Sequence, residues 1–121
     1  ACIDDCPTDA LVKPYVLDSN KCISYLTIEH RGELDDSFND KMNSWIYGCD
    51  ICQEVCPWSK KFSQETSEIA FAKRPMVSNK TLDDWEAITE EDFKSIFKNS
   101  AIKRTKYSGL MRNVKFVKKR R

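Results

Sequence analysis

Apolar positions in this chain come in short bursts separated by polar turn formers, and few bursts last beyond two helical turns. Between Thr8 and Asp18, the residues Leu11, Val12, Tyr15, Val16 and Leu17 surround Pro14, which reads as loop with a brief strand. From Ser19 or Asn20, either of which can cap, Ile23, Leu26, Thr27 and Ile28 fall at helical spacing and Gly32 suits the end. That predicts a helix carrying Cys22. Phe38, Met42, Trp45 and Ile46 predict a further helix with one apolar face, and Gln64 to Phe71 another, ended by Lys73-Arg74-Pro75. Thr81-Leu82-Asp83-Asp84 and Thr89-Glu90-Glu91-Asp92 both resemble helix starts; the second is close to a capping box and precedes Phe93, Ile96 and Phe97. Ser100 can cap a last stretch through Lys103, Arg104 and Lys106 to Gly109, with Leu110, Met111 and Val114 beyond. The fold class expected is mainly α with irregular loops.

Composition leaves that picture in place, with 40% hydrophobic residues and three Gly in 121 positions, enough for a modest core. No apolar run approaches the roughly 20 residues that span a bilayer, and no basic start leads into a hydrophobic signal segment. A cytoplasmic monomer with no membrane partner is expected. Charge is uneven beneath a net of +1: residues 101–121 hold nine of the 20 Lys and Arg and none of the 19 Asp and Glu. Such a cationic end is either a solvated terminus or a surface for the phosphates of a nucleic acid. Lys118 to Arg121, past the last apolar anchor at Val117, read as a mobile tail.

The candidate chemistry is in six cysteines. Cys49-Asp50-Ile51-Cys52-Gln53-Glu54-Val55-Cys56-Pro57 is a C-x-x-C-x-x-x-C-P run, and Cys2-Ile3-Asp4-Asp5-Cys6-Pro7 repeats its second half. Disulfides are the alternative in a secreted protein, and zinc in an intracellular one. The C-P endings favour iron–sulfur ligation, because in two-cluster ferredoxins the cysteine before proline ligates the other cluster. If Cys56 crosses to a first site and Cys6 to a second, the second needs one ligand beside Cys49 and Cys52, and Cys22 supplies it. A buried structural thiol is the other reading of Cys22. The first motif lacks its opening cysteines, so a double-cluster domain truncated at its N-terminus is expected. His30, near the end of the Cys22 helix, suits the helix dipole. Trp58 and Phe62 are expected to cover the cluster loops, and Gly48 to allow close approach of backbone to a cluster.

Three blocks carry a resemblance: Cys6-Pro7-Thr8-Asp9-Ala10, Lys21-Cys22-Ile23-Ser24-Tyr25-Leu26-Thr27-Ile28-Glu29-His30-Arg31-Gly32, and Ile46-Tyr47-Gly48-Cys49-Asp50-Ile51-Cys52-Gln53-Glu54-Val55-Cys56-Pro57-Trp58. Together with Ser100-Ala101-Ile102-Lys103-Arg104 and Gly109-Leu110-Met111-Arg112-Asn113, they resemble the epoxyqueuosine reductases, cobalamin-dependent enzymes of queuosine synthesis on tRNA. The resemblance implies a helical ferredoxin-like domain over residues 1–62 with two 4Fe-4S clusters, followed by a helical segment over 63–121 with a basic tail. It implies Cys6, Cys22, Cys49 and Cys52 as ligands of one cluster, and Cys2 and Cys56 as ligands of the other, incomplete in this chain.

Ser24, Cys49 and Asp50 are then candidates to face the cobalamin, and His30, Lys103, Arg104, Lys106 and Arg112 to contact tRNA. The catalytic acid is expected upstream, in an N-terminal cobalamin-binding domain, and the electron donor is expected to be a flavodoxin or ferredoxin. This chain alone should be inactive. A free-standing ferredoxin-like electron carrier and a zinc-stabilised nucleic-acid-binding module are the alternatives.

Overall fold

The computed structural model describes residues 1–119. Its regular elements are short, as the broken apolar pattern requires. Helix α1 (Cys2–Asp5) leads into a two-stranded antiparallel hairpin, β1 (Leu11–Lys13) and β2 (Val16–Leu17), which turns at Tyr15 with φ of 65°. Helix α2 (Ile23–Ile28) follows, then α3 (Ile51–Glu54), α4 (Pro57–Phe62), α5 (Pro75–Ser78), α6 (Leu82–Ala87), α7 (Glu90–Ile96) and α8 (Lys106–Lys118). The mainly helical expectation is met, the sheet being confined to that hairpin.

The threonine starts behave as read. The Thr81 hydroxyl accepts from the Asp84 amide while the Asp84 carboxylate accepts from the Thr81 amide, and Thr89 and Asp92 repeat the reciprocal pair at α7. Each pair satisfies two amides that have no partner inside the helix.

Helix α8 holds the molecule together. Leu110, Met111 and Val114 meet Trp85, Ile88, Phe93, Ile96 and Phe97 in one core. Phe116 and Val117, a turn further on, meet Ile23, Leu26, Leu34 and Met42 in a second. Stacked Trp85 and Phe97, 5.7 Å between ring centroids, and edge-on Phe93 and Phe97, 5.0 Å, fix the first core's geometry. Helix α8 runs straight through Gly109, where the sequence suggested an end, because Gly109 packs against Thr105: a Cβ there would lie 2.9 Å from the Thr105 hydroxyl.

Other expectations need correction. Residues 36–46 form a 3₁₀ turn over Asp36–Phe38 and further turns rather than a helix. The Asp35 carboxylate accepts the Ser37 amide, and Asn43 adopts φ of 49°, both incompatible with continuing a helix, although Met42 still reaches the core. Residues 64–71 keep only a 3₁₀ turn, Ile69–Phe71, capped by Glu68. Cys22 caps α2 from outside instead of riding on it, because Ser19–Lys21 forms its own 3₁₀ turn. Lys118 pairs with Asp83 at 2.6 Å and Glu86 at 2.8 Å, and Lys119 with Asp36 at 2.8 Å, so these two residues of the expected mobile tail are docked. Arg120 and Arg121 lie outside the described residues. No described helix is long and apolar enough to cross a membrane.

Candidate metal centre

Cys6, Cys22, Cys49 and Cys52 line one cavity of about 150 Å³ whose other walls are Pro7, Thr8, Ala10, Leu11, Leu17, Ile23 and Ile51. Each thiol arrives by a different local device. Cys6 ends α1, which packs against α3; Cys22 caps α2; Cys49 stands in the turn before α3, and Cys52 within α3. The turn into Cys49 uses Gly48 at φ of 74° and is tied to α2, since the Gly48 amide donates to the buried Thr27 hydroxyl at 2.9 Å.

The thiols sense one another. Burial pushes the Cys49 thiol up, and neighbouring Cys52, Cys22 and Cys6 add to the shift. Burial likewise raises Cys52, with Cys22 and Cys6 contributing. At Cys6 burial acts in the same direction but is outweighed by hydrogen bonds from the Thr8, Leu11 and Ala10 amides and the Thr8 hydroxyl, so its thiol falls below the ordinary value. Amides aimed at a sulfur stabilise a thiolate and tune a cluster that it ligates.

Among the described residues no three His, Cys, Asp or Glu side chains are gathered tightly enough to hold one metal ion. Thiolates around one tetrahedral ion at 2.3 Å stand roughly 3.8 Å apart. These four thiols line an apolar-walled cavity of about 150 Å³, room for a multi-atom inorganic group with all-sulfur ligation. The donor set fits an iron–sulfur cluster.

Cys2 and Cys56 do not line that cavity. Cys56 caps α4, its thiol lowered by the Ser59 amide and hydroxyl and the Trp58 amide. Trp58 and Phe62 do not cover the cluster loops; they are 69% and 59% exposed and stack on each other at 5.7 Å. Ser24 lies two residues along from Cys22 in α2, and Asp50 is exposed at the start of α3.

Comparison with known proteins places this geometry. A family model described as "4Fe-4S double cluster binding domain" matches residues 1–59, favouring iron–sulfur over zinc. The epoxyqueuosine reductase of Cellulophaga algicola is 52% identical over 118 residues, covering 98% of this chain and 38% of that protein. The chain is homologous to the iron–sulfur portion of epoxyqueuosine reductase. A crystal structure of epoxyqueuosine reductase with a tRNA-Tyr epoxyqueuosine-modified stem loop matches 96% of this chain and 30% of its own, at TM-score 0.86 and 34% identity. The Bacillus subtilis epoxyqueuosine reductase structure matches 96% of this chain and 31% of its own, at TM-score 0.85 and 33% identity. The chain thus spans under two fifths of the length of these reductases.

The basic residues divide into two groups. Arg112 is committed inside the fold. Its Nη1 donates to the His30 and Gly32 carbonyls at 2.7 and 2.9 Å, its Nη2 to Leu26 O and Asn113 Oδ1, both at 2.8 Å, and its Nε to Asn113 Oδ1 at 3.0 Å. A guanidinium has five N–H donors, all used here, so Arg112 is not free for a phosphate as the sequence suggested. Arg31 similarly donates to Ile28 O and Arg104 O.

Lys103, Arg104 and Lys106 are exposed, Arg104 pairing with Glu29 at 2.6 Å. His30 uses its ring to engage Glu33 O at 3.0 Å and edges a 220 Å³ cleft with Arg31, Ser108 and Arg112. Sequence reasoning missed the positioning group Thr27 and Asn113. Asn113 is fully buried and its amide donates to Thr27 O and Ile46 O, both at 2.8 Å. In the sequence both stood only as members of resembling blocks, Thr27 beside Leu26 and Asn113 beside Arg112.

Proposed function

We propose that this chain is the electron-relay portion of an epoxyqueuosine reductase, with Cys6, Cys22, Cys49 and Cys52 holding one 4Fe-4S cluster. The observation that carries the reading is the meeting, at one apolar-walled cavity, of one thiol from the first motif, two from the second and Cys22 from between them. Cys2 and Cys56 ligate a second cluster, completed by thiolates that are not among these residues. Bound clusters supply single low-potential electrons. The chain's own part is to fix the thiolates, to direct the Thr8, Ala10 and Leu11 amides at Cys6, and to keep water from the sulfurs with Leu11, Leu17, Ile23 and Ile51.

In the whole enzyme the surface bearing Ser24, Cys49 and Asp50 faces the cobalamin, and the electrons serve reduction of epoxyqueuosine in tRNA. Lys103, Arg104 and Lys106, with His30 at the edge of the adjacent cleft, contact tRNA phosphates, which position a substrate without reading its sequence. The test is anaerobic iron reconstitution of this chain, expected to yield about four Fe, one four-thiolate cluster. Cys22→Ala should abolish it and Cys2→Ala should leave it. Equal loss in both variants, shown by iron content and the cluster's visible absorption, would overturn the ligand assignment.

A further inference from the structure

Helix α4 is capped by Cys56 and, apart from the half-buried Ser59, its side chains are exposed. Trp58 and Phe62 are 69% and 59% exposed, and their rings stack at 5.7 Å and 13°. Lys60 and Lys61 stand between them in sequence, both exposed, with the Lys61 ammonium 5.2 Å from the Phe62 ring centroid. Neither lysine ion-pairs among the described residues, and residues 55–64 contain no Asp or Glu. A stacked aromatic pair that costs little entropy to order, rimmed by free cations, is the composition of a protein-docking surface.

We propose that this face of α4 docks an acidic one-electron carrier protein, which reduces the cluster ligated by Cys56. The inference rests on the relay reading above. Three observations select this occupant. The cations on α4 complement an acidic partner. Trp58 and Phe62 are two and six residues from the Cys56 thiolate, so a carrier seated on them comes close to a ligand of the receiving cluster. The patch is small, as suits transient redox encounters, which bury less than about 1,200 Å². A nucleic acid fits less well, since these two rings are stacked on each other and are not splayed to take bases.

Each encounter oxidises the carrier by one electron and reduces the cluster by one. Two encounters supply the two electrons which, with two protons, convert an epoxide to an alkene and water.

The experiment uses the whole reductase carrying this chain, in unaltered, Lys60→Glu/Lys61→Glu and Phe62→Ala forms. Turnover is driven either by a reduced acidic flavodoxin or by dithionite with methyl viologen. With flavodoxin, the charge-reversed protein should lose roughly tenfold or more in kcat/KM at low salt, the deficit shrinking as salt rises. Phe62→Ala should raise KM for flavodoxin at any salt. With the small reductant, both variants should match the unaltered protein in rate and iron content. Equal losses with both reductants, unchanged flavodoxin kinetics, or a loss confined to tRNA affinity would each overturn the docking assignment. Failure of the unaltered protein to turn over with dithionite and methyl viologen sinks the relay reading itself and this surface with it.

Discussion

Replacing Arg112 separates a structural cation from a nucleic-acid contact. Its guanidinium closes five hydrogen bonds onto the end of α2 and onto Asn113. Arg112→Ala leaves the Leu26 and His30 carbonyls and the Asn113 Oδ1 short of donors, whereas the more exposed Gly32 carbonyl can turn to water. Orphaning a partly buried acceptor costs about 1–3 kcal/mol, and these losses share one side chain, so a total of about 3 kcal/mol is reasonable. For a chain of this size that corresponds to a fall in Tm of roughly 10 °C.

Arg112→Lys keeps the charge but loses the planar fork, so it should recover little of that stability. Thermal unfolding followed by circular dichroism reads the first quantity, and tRNA affinity at several salt concentrations reads the second. Both Arg112 variants should unfold early yet keep the salt slope, whereas Arg104→Ala should leave Tm nearly unchanged and flatten the slope by about one contact. An Arg112→Ala protein with native Tm and a flattened slope would refute the clasp and restore Arg112 to the phosphate surface.

Thr27→Val removes the acceptor of the Gly48 amide beside Cys49, so it should cost about 1–3 kcal/mol and lower iron incorporation; unchanged Tm and iron content would mean that the turn holds without it. Gly109→Ala should destabilise despite Ala's helix advantage of about 1 kcal/mol, because the added Cβ meets a Thr105 hydroxyl held to Thr27 O at 2.7 Å; a raised Tm would show that Thr105 yields. The Asp84 and Asp92 carboxyls are held below the usual range by the amides and hydroxyls of Thr81 and Thr89. Their contribution is therefore complete above about pH 4 and is lost as pH falls through the lower folded values, and Asp84→Asn/Asp92→Asn should flatten that acid limb of the stability curve.

What the sequence disclosed was what short-range chemistry decides. A threonine three residues before an aspartate states its own helix start, and both starts appear with reciprocal bonds. The gathering of Cys6 and Cys22 with Cys49 and Cys52 follows from a ligand count that no packing preference disturbs. Residues 36–46 were misjudged because Asp35 and Asn43 bend the backbone locally while Met42 and Ile46 still find apolar neighbours, so burial imitates helical spacing without a helix. Arg112 was misjudged because a charge plot counts cations and not their acceptors, which here come from carbonyls more than 80 positions away in the chain. Trp58 and Phe62 were expected over the cluster loops because they follow Cys56 directly, but nearness in sequence alone does not say that a large ring turns inward.

Helix α8 contributes no thiol, yet it sets the centre from behind. Through Asn113 it holds the carbonyls of Thr27 and Ile46, and Thr27 in turn holds the turn that delivers Cys49. Cys22 caps α2 at its first end, and at its other end stand the carbonyls clasped by Arg31 and Arg112 beside Arg104. Its six residues rise about 1.5 Å each, so roughly 9 Å separates the end that Cys22 caps from the end that borders the basic surface. Lys103 and Arg104 stand on the 3₁₀ turn Ala101–Thr105, which packs against α2, so a nucleic acid held there would sit against the helix that Cys22 caps. Loosening α2 should disturb substrate binding and cluster retention together, while changes to exposed lysines should disturb only the first.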